Sequence, residues 1–280
     1  MRTVKVFEEA WPLHTPFVIA RGSRSEVRVV VVELEEEGIK GTGECTPYPR
    51  YGESDASVMA QIMSVVPQLE KGLTREELQK ILPAGAARNA LDCALWELEA
   101  KLQNRSVWQL WEQPEPPQPV TTVFTLSLRT PSEMAQAAAD NAWRPLLKLK
   151  LGKAEGDLAR VQAVRAAAPH CRLLVDANTG WQRTQLIDYL PELKTLGVEL
   201  IEQPFPPGQD HWLDGIERLL PIAADESCQT LASLPSLRGR YDYINIKLDK
   251  TGGLTEALSL LTAAQQQQMG IMIGCNIGTS

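Results

Sequence analysis

Short apolar runs alternate with amphipathic segments of helical length through the second part of the chain. The runs cover residues 121–126, 146–150, 172–176, 198–202, 221–225, 243–247 and 271–275. Seven strand–helix steps at intervals of roughly 25 residues predict a parallel sheet, most simply a β/α barrel. A doubly wound open sheet is the alternative, but it normally carries a glycine-rich turn after its first strand, and the segment TLSLRTPSE has none.

The first part of the chain has a different pattern, with strands first and helices afterwards. Residues 3–9, 26–35 and 39–46 alternate as strands do, and the charged turn EEEGIKG between the last two is typical of an antiparallel hairpin. Helical spacing of apolar residues follows, most clearly over 84–103. This order is typical of a separate α+β unit.

A proline-rich stretch, PEPPQP at residues 114–119, separates the two parts, because it can form neither a helix interior nor a central strand. We therefore predict an α/β protein with an α+β domain over 1–113 and a modified β/α barrel over 120–280. The pattern supplies seven strands where a closed barrel needs eight, and an open barrel exposes two strand edges. We expect the eighth strand to be missing from this sequence, whose C-terminus would then be incomplete.

Composition excludes several classes of protein. With 44% hydrophobic and 22% charged residues, the chain is not collagen-like, disordered or a coiled coil. A net charge of −7 argues against binding to nucleic acid or to an anionic membrane, which both need a basic surface. The N-terminus lacks a signal-peptide pattern, and no run of about 18 apolar residues occurs. Five widely spaced cysteines without a CxxC pair favour a reducing compartment, so we expect the cytoplasm.

Charged residues end five successive strands of the predicted barrel. They are Lys148 and Lys150, Asp176, Glu202, Asp225 and Lys247. The steps from Lys150 onward are 26, 26, 23 and 22 residues, one strand–helix repeat each time. A single charged strand end is more often a solvated end or a helix cap. Five in succession favour an active site, since barrel enzymes place theirs at the carboxyl ends of the strands.

Strand alternation predicts which way these side chains point. In LLKLKLG, Lys148 and Lys150 share one face, and Leu147, Leu149 and Leu151 share the other. Because barrel strands turn branched apolar residues outward to the helices, the lysines should point inward. Asp, Glu and Asp without histidine or thiolate favour Mg²⁺ or Mn²⁺. Burial, together with the positive charge of the metal and Lys148, should lower the pKa of a lysine until it can act as a base. The reaction that fits is removal of a proton α to a carboxylate.

The motifs KLKLG, DANTGW, IEQP, ADES and NIKLDKTGGL, behind a smaller α+β domain, resemble the enolase superfamily over nearly the whole chain, specifically its muconate-lactonizing subgroup. The resemblance implies an α+β capping domain over a modified β/α barrel, and a lysine base used with Mg²⁺. It implies that one Mg²⁺ per subunit, with Mn²⁺ as the alternative, is bound by three carboxylates, that two lysines are the acid and base, and that a third holds the substrate carboxylate. By this resemblance the metal ligands are Asp176, Glu202 and Asp225. The acid and base are Lys150 and Lys247, and Lys148 holds the substrate carboxylate.

Within this subgroup the N-terminal segments VIARGSRSEVRVVVVEL and GTGECTPYPRYGES are similar to the capping strands and mobile loop of L-Ala-D/L-Glu (dipeptide) epimerases. The similarity implies that Arg24 meets the side-chain carboxylate of the glutamyl residue, with Arg21 and Arg28 near enough to compete. It also implies that Thr125 contacts the substrate. The acidic residues that bind the substrate ammonium in those enzymes lie on the eighth strand, beyond residue 280. The segment GCNIGTS also lacks an acid that many subgroup members carry.

The function implied is a Mg²⁺-dependent isomerase that epimerises the α-carbon of the Glu residue in L-Ala-D/L-Glu dipeptides by 1,1-proton transfer, in murein peptide recycling. A lyase of the o-succinylbenzoate synthase type and a muconate-type cycloisomerase remain alternatives, because both use the same lysine pair and metal. A barrel that binds metal or ligand without turnover is the non-enzymatic alternative. The expected partner is a small dipeptide, with no nucleic acid or membrane, and a homo-oligomer is left open.

Overall fold

The computed structural model describes residues 2–19, 22–113, 115–152 and 156–279. In this part of the chain a three-stranded antiparallel sheet precedes a seven-stranded parallel sheet. The predicted α/β architecture, an α+β capping domain with a modified barrel, is confirmed. No helix among these residues is long and apolar enough to cross a membrane.

The capping domain is a meander of three strands covered by helices. The strands are β1 (Thr3–Ile19), β2 (Gly22–Glu36) and β3 (Ile39–Cys45). The helices are α1 (Asp55–Leu69), α2 (Arg75–Ile81), α3 (Ala86–Leu102) and α4 (Val107–Leu110), and a 3-10 turn spans Pro49–Tyr51. The hairpin predicted between the second and third strands is present, with Glu36 paired to Ile39.

The first two strands extend well beyond the predicted 3–9 and 26–35. They pair from Thr3 with Glu35 to Ile19 with Gly22, with a register shift between Pro12 and Phe17. The outer half of this hairpin stands clear of the capping core, so its side chains lack the apolar–polar alternation on which strand prediction depends. Long-range contact holds the hairpin end, because Leu128 N donates to the Val18 carbonyl at 3.0 Å.

The parallel strands follow chain order across the sheet, from β4 at one edge to β10 at the other. The strands are β4 (Phe124–Leu126), β5 (Leu146–Lys150), β6 (Arg172–Asp176), β7 (Val198–Glu202), β8 (Ile222–Ala224), β9 (Tyr243–Ile246) and β10 (Gly270–Ile273). The helices are α5 (Pro131–Asp140), α6 (Asp157–Ala167), α7 (Arg183–Thr195), α8 (Leu234–Leu237), α9 (Leu248–Thr251) and α10 (Leu254–Gln266), with 3-10 turns at Asp210–Leu213 and Leu231–Ser233.

The two faces of this sheet have different contents. Leu147, Leu149 and Leu151 are completely buried in the core between the strands and the helices. The opposite face carries a small apolar cluster of Leu146, Leu174, Leu200 and Ala223 near the start of the strands. Lys148 and Lys150 follow Leu146 on that inner face, one alternation step at a time. The inner face is therefore apolar toward the start of the strands and charged toward their carboxyl ends.

Helix α3 packs against β3 with almost no space between the backbones. A Cβ atom at Gly43 would lie 2.1 Å from the Ala90 carbonyl oxygen, and one at Gly41 would lie 2.3 Å from that of Ala94. The two glycines alternate on one face of β3, so α3 rests on the bare backbone. This close approach fixes the height of α3 above the capping sheet.

The substitution Gly43→Ala should destabilise the protein by about 1–3 kcal/mol, because the added methyl group overpacks this contact. Gly22→Ala is the matched control, since no heavy atom lies within 4 Å of a Cβ at that position. The control should stay within about 0.5 kcal/mol of wild type. Urea unfolding measures both free energies, and equal values for the two variants would contradict the close packing of α3.

Candidate active site

The charged strand ends meet at one edge of the parallel sheet. Lys150 pairs in register with Asp176, and Asp176 pairs with Glu202, so three successive strands end level. Asp225 follows β8 directly, and Lys247 follows β9 directly. Since β5 to β9 are consecutive neighbours in the sheet, the structure brings together the five strand ends that the sequence analysis singled out.

On one side of this edge two lysines share two carboxylates. Lys148 Nζ lies 2.6 Å from Glu202 Oε2 and 3.1 Å from Asp176 Oδ2. Lys150 Nζ lies 2.6 Å from the same Asp176 oxygen. All four side chains are buried. Strong ion pairing is required here, because an unpaired buried charge would cost several kcal/mol.

On the other side Asp225 binds two lysines. Lys247 Nζ lies 2.6 Å from Oδ2, and Lys250 Nζ lies 2.7 Å from Oδ1. Lys250 also donates to the main-chain carbonyls of Asp225 and Asn245, and the Asn245 amide donates to Glu202 Oε1 at 2.9 Å. The sequence analysis missed Lys250. Its only signal in the sequence is a second lysine at this strand end, three residues after Lys247.

These pairs set the protonation of the carboxylates. Burial alone would raise the pKa of Asp176, but Lys150 and Lys148 lower it to about 2. Burial acts in the same way on Asp225, and Lys247, Lys250 and Lys148 hold its pKa well below the ordinary value. Both carboxylates are therefore ionised at neutral pH.

The carboxylates at the site raise the pKa of Lys247 and Lys148, and the lowered pKa of the base lysine stays a prediction. Burial favours the neutral amine of Lys247, but the charges of Asp225 and Glu202 outweigh burial and raise its pKa. Lys148 shows the same balance, with Glu202 and Asp176 raising its pKa against burial. Carboxylates at hydrogen-bond distance thus act on both lysines in the opposite direction to burial.

The donor set fits Mg²⁺. Asp176, Glu202 and Asp225 are 0%, 1% and 2% exposed, and their carboxylates supply hard oxygen ligands at the ends of adjacent strands. Within the described residues, no three carboxylate, imidazole or thiol groups lie close enough together to coordinate one metal ion in this structure. Lys148, for example, bridges Asp176 and Glu202. The chemistry of the three carboxylates suits the ion, and in this structure lysines balance their charge.

A cavity of about 440 Å³ opens between the capping domain and this sheet edge. Its volume suits a small ligand. The barrel contributes the two lysines Lys150 and Lys247, together with Asn178, Asp225, Glu226, Cys275, Asn276 and Ile277. The capping domain contributes Phe17, Gly22, Ser23, Arg24, Tyr48, Pro49, Arg50 and Tyr51.

Cations from the capping domain face the same cavity. Arg24 lines it from β2, with its guanidinium carbon 5.2 Å from the centre of the Tyr48 ring. Arg28, a suggested competitor, is instead exposed and paired with Glu8 and Asp55. The other suggested competitor, Arg21, lies outside the described residues.

Two residues that were predicted to contact the substrate, Thr125 and Lys148, are not among the described residues that line this cavity. Thr125 pairs in register with Lys148 and lies beside it on the inner face. The sequence analysis also missed Arg50, whose guanidinium lies 3.4 Å from Glu226 Oε1 and 3.4 Å from Thr179 Oγ1. The motif GECTPYPRYGES contains Arg50, but only the fold shows that it reaches the strand ends.

Comparison with known protein families agrees with this arrangement. Residues 1–111 match the domain described as "Mandelate racemase / muconate lactonizing enzyme, N-terminal domain", and residues 132–280 match the domain described as "Enolase C-terminal domain-like". The chain belongs to the mandelate racemase/muconate lactonizing enzyme family of the enolase superfamily. The domain boundaries at 113 and 120 stay a prediction.

Individual relatives are similar over nearly the full length. The L-Ala-D/L-Glu epimerase of Escherichia coli is 61% identical over 282 residues, which cover 100% of this chain and 87% of the relative. A crystal structure of an enolase family member from Agrobacterium tumefaciens, with homology to dipeptide epimerases and with bound sodium and L-Ala-L-Glu, is 47% identical with a TM-score of 0.96. That match covers 100% of this chain and 85% of the other.

A dipeptide epimerase from Enterococcus faecalis, complexed with Mg and the dipeptide L-Leu-L-Tyr, is 32% identical with a TM-score of 0.90. The match covers 98% of this chain and 82% of the other. Epimerases are isomerases, so the enzyme class of these relatives agrees with the sequence analysis. A lyase or a cycloisomerase gains no support from them.

The segment after Lys247 carries a carboxylate of its own. Asp249 Oδ1 accepts from Asn89 Nδ2 at 2.8 Å and from the Thr46 main-chain amide at 3.2 Å, and its Oδ2 accepts from Asn276 Nδ2 at 3.2 Å. All three of these donors are neutral. Burial therefore dominates and raises the pKa of Asp249 from 3.8 to about 6.

This shift gives wild type and Asp249→Asn a different pH dependence. Because the folded state binds the Asp249 proton more tightly than the unfolded state, wild type should gain stability relative to the variant as the pH falls from 7.5 to 4.5. The gain over this range is about 2 kcal/mol, because the full effect of the shift, about 3 kcal/mol, is reached only below the unfolded-state pKa of 3.8. Urea unfolding of both proteins across this range tests the prediction. A constant difference would show that Asp249 has an ordinary pKa.

Proposed function

We propose that this protein is an epimerase acting on the α-carbon of the glutamyl residue in L-Ala-D/L-Glu dipeptides. The observation that carries the proposal is the position of Lys150 and Lys247. They stand at the carboxyl ends of β5 and β9, with the three strands that end at the carboxylates between them, and both line one cavity. Such a pair reaches a bound substrate from two sides. The similarity to named dipeptide epimerases supports the same function.

Asp176, Glu202 and Asp225 would hold one Mg²⁺ per subunit, with Mn²⁺ as the alternative ion. When bound, the ion supplies Lewis-acid charge for the substrate's α-carboxylate. Lys148 lies between two of these carboxylates, and its positive charge would also help to hold the substrate carboxylate near the ion. The structural relative that contains Mg and a dipeptide supports this assignment.

Proton transfer requires opposite protonation states of the two lysines. One lysine, as the neutral amine, takes the α-proton from its side of the substrate. The other, as the ammonium, delivers a proton to the opposite side, so the configuration inverts and no net proton is consumed. In the reverse direction the two lysines exchange roles. Residues of the capping domain, including Phe17 and Tyr51, line the cavity on the side that faces the barrel.

Arg24 is the residue we assign to the γ-carboxylate of the glutamyl side chain, since guanidinium groups recognise carboxylates in a bidentate way. It faces the cavity from the capping side, opposite the lysines. Dipeptides of this composition arise from murein, so the enzyme would act in murein peptide recycling. The five free cysteines are consistent with the cytoplasm.

Proton NMR in D₂O with Mg²⁺ tests the function directly. Incubation with L-Ala-L-Glu and, separately, with L-Ala-D-Glu should introduce deuterium at the glutamyl α-position and interconvert the two dipeptides. A wild-type protein that binds Mg²⁺, yet exchanges neither isomer, would contradict the proposal.

The lysine substitutions should separate the two half-reactions. Lys150→Ala and Lys247→Ala should each abolish interconversion, because inversion needs both groups. Each variant should also lose α-proton exchange from one isomer only, by at least about 100-fold, which is the usual contribution of a general base. The two variants should affect opposite isomers. Loss of exchange from both isomers in one variant would contradict the assignment of one lysine to each side.

Removal of the Arg24 charge should weaken recognition of the glutamyl side chain. In Arg24→Met, kcat/KM for L-Ala-L-Glu should fall about 10- to 100-fold, as expected for loss of a charged hydrogen bond, while L-Ala-L-Gln should be much less affected. Arg28→Met is the matched control, since it removes an exposed arginine from the same strand. Steady-state kinetics with both dipeptides would contradict the role of Arg24 if the two arginine variants behaved alike.

A further inference from the structure

Helix α3 of the capping domain holds the end of the short helix that follows Lys247. Arg88 Nε donates to the Gly252 carbonyl at 3.0 Å, and Nη2 donates to the Thr251 carbonyl at 2.7 Å. These are carbonyls at the C-terminal end of α9, which a helix leaves without internal partners. Arg88 is 6% exposed, and its remaining hydrogen bonds go to the main-chain carbonyls of Gln79 and Leu82 at the C-terminal end of α2.

The next residue of α3 holds the beginning of the same helix. Asn89 Nδ2 donates to Asp249 Oδ1 at 2.8 Å, and Asp249 is two residues beyond Lys247. The same asparagine amide donates to the Glu44 carbonyl of β3 at 3.3 Å. Two adjacent residues of one capping helix therefore bind both ends of the segment that begins at Lys247.

The sequence of this segment permits the close approach. Gly252 and Gly253 have φ angles of +73° and +112°. A Cβ at Gly252 would lie 2.6 Å from Arg88 Nε, and one at Gly253 would lie 2.4 Å from the Asp92 Cβ. Any side chain at either position would push α3 away. The glycine pair of the motif KTGGL thus forms the surface against which α3 packs.

Lys150 is supported differently, by residues of the barrel itself. Asp157 Oδ2 accepts from the Gly152 amide at 2.9 Å and from Trp181 Nε1 at 2.8 Å. This carboxylate links the turn after Lys150 to the turn after Asp176. Among the described residues, no hydrogen bond joins α3 to β5 or to the turn that follows it.

We propose that Arg88 and Asn89 are positioning residues for Lys247. The capping domain then fixes the position of one lysine of the pair, and the barrel fixes the position of the other, Lys150. This inference rests on the proposed epimerase function. It predicts that damage to the contact between α3 and α9 impairs proton transfer on one side of the substrate only. A role confined to stability would impair both sides equally.

The test measures the initial rate of α-deuterium incorporation in D₂O with Mg²⁺, separately for L-Ala-L-Glu and L-Ala-D-Glu. Lys247→Ala first identifies the isomer whose α-proton faces Lys247. Asn89→Leu, which keeps the volume but removes the donor, and Arg88→Lys, which keeps the charge but removes the fork, should lower exchange from that isomer about 10- to 100-fold. Exchange from the other isomer should fall less than about threefold.

Thr255→Val is the matched control. It removes hydrogen bonds to Asp92 and Trp96 of α3 without touching the Lys247 segment, so the ratio of the two exchange rates should equal that of wild type. The ratio is independent of the fraction of folded enzyme, so a partly unfolded variant still gives an answer. If wild type exchanges neither isomer, the proposed function fails. If wild type exchanges both and the ratio is unchanged in Asn89→Leu and Arg88→Lys, the positioning role alone is overturned.

Discussion

The burial of three carboxylates at one edge of a parallel sheet is the constraint on which the rest of this structure depends. Each would be prohibitively costly if left without a cation. Asp176 and Asp225 each have two lysines within 3.1 Å, and Glu202 has one. The price of this arrangement is a site in which every lysine is also a counterion. Any group that draws the carboxylates away therefore changes the proton affinity of the lysines.

Strand alternation converts this electrostatic requirement into geometry. Leu147 and Leu149 of β5 anchor one face of the strand in the barrel core, so the lysines on the other face have no freedom to turn outward. The apolar cluster around Leu174 and Leu200 closes the inner face below them. Charged groups can then emerge only at the carboxyl end, where the capping domain covers them. The cavity is placed by the packing on both faces of the sheet.

The barrel could be predicted from the sequence because its signal is local and repeated. The bounds of β5, β6 and β7 coincide with the predicted runs, and the charged residues mark the strand ends. The outer part of the β1–β2 hairpin could not be predicted, since its pairing is stabilised by contacts far along the chain. Lys250 and Arg88 were missed for a related reason. Their partners are mostly main-chain carbonyls, which leave no pattern of residue types.

The contact between α3 and the glycine pair after α9 also affects how the chain reaches its native state. Arg88 and its acceptor Gly252 are separated by 164 residues. At a synthesis rate of about 5–20 residues per second, the guanidinium of Arg88 emerges about 8–30 seconds before the carbonyls that satisfy it. The first domain to be synthesised is therefore completed by residues from the second. The contact between α3 and the helix after Lys247 can therefore form only after nearly the whole of this sequence has been synthesised.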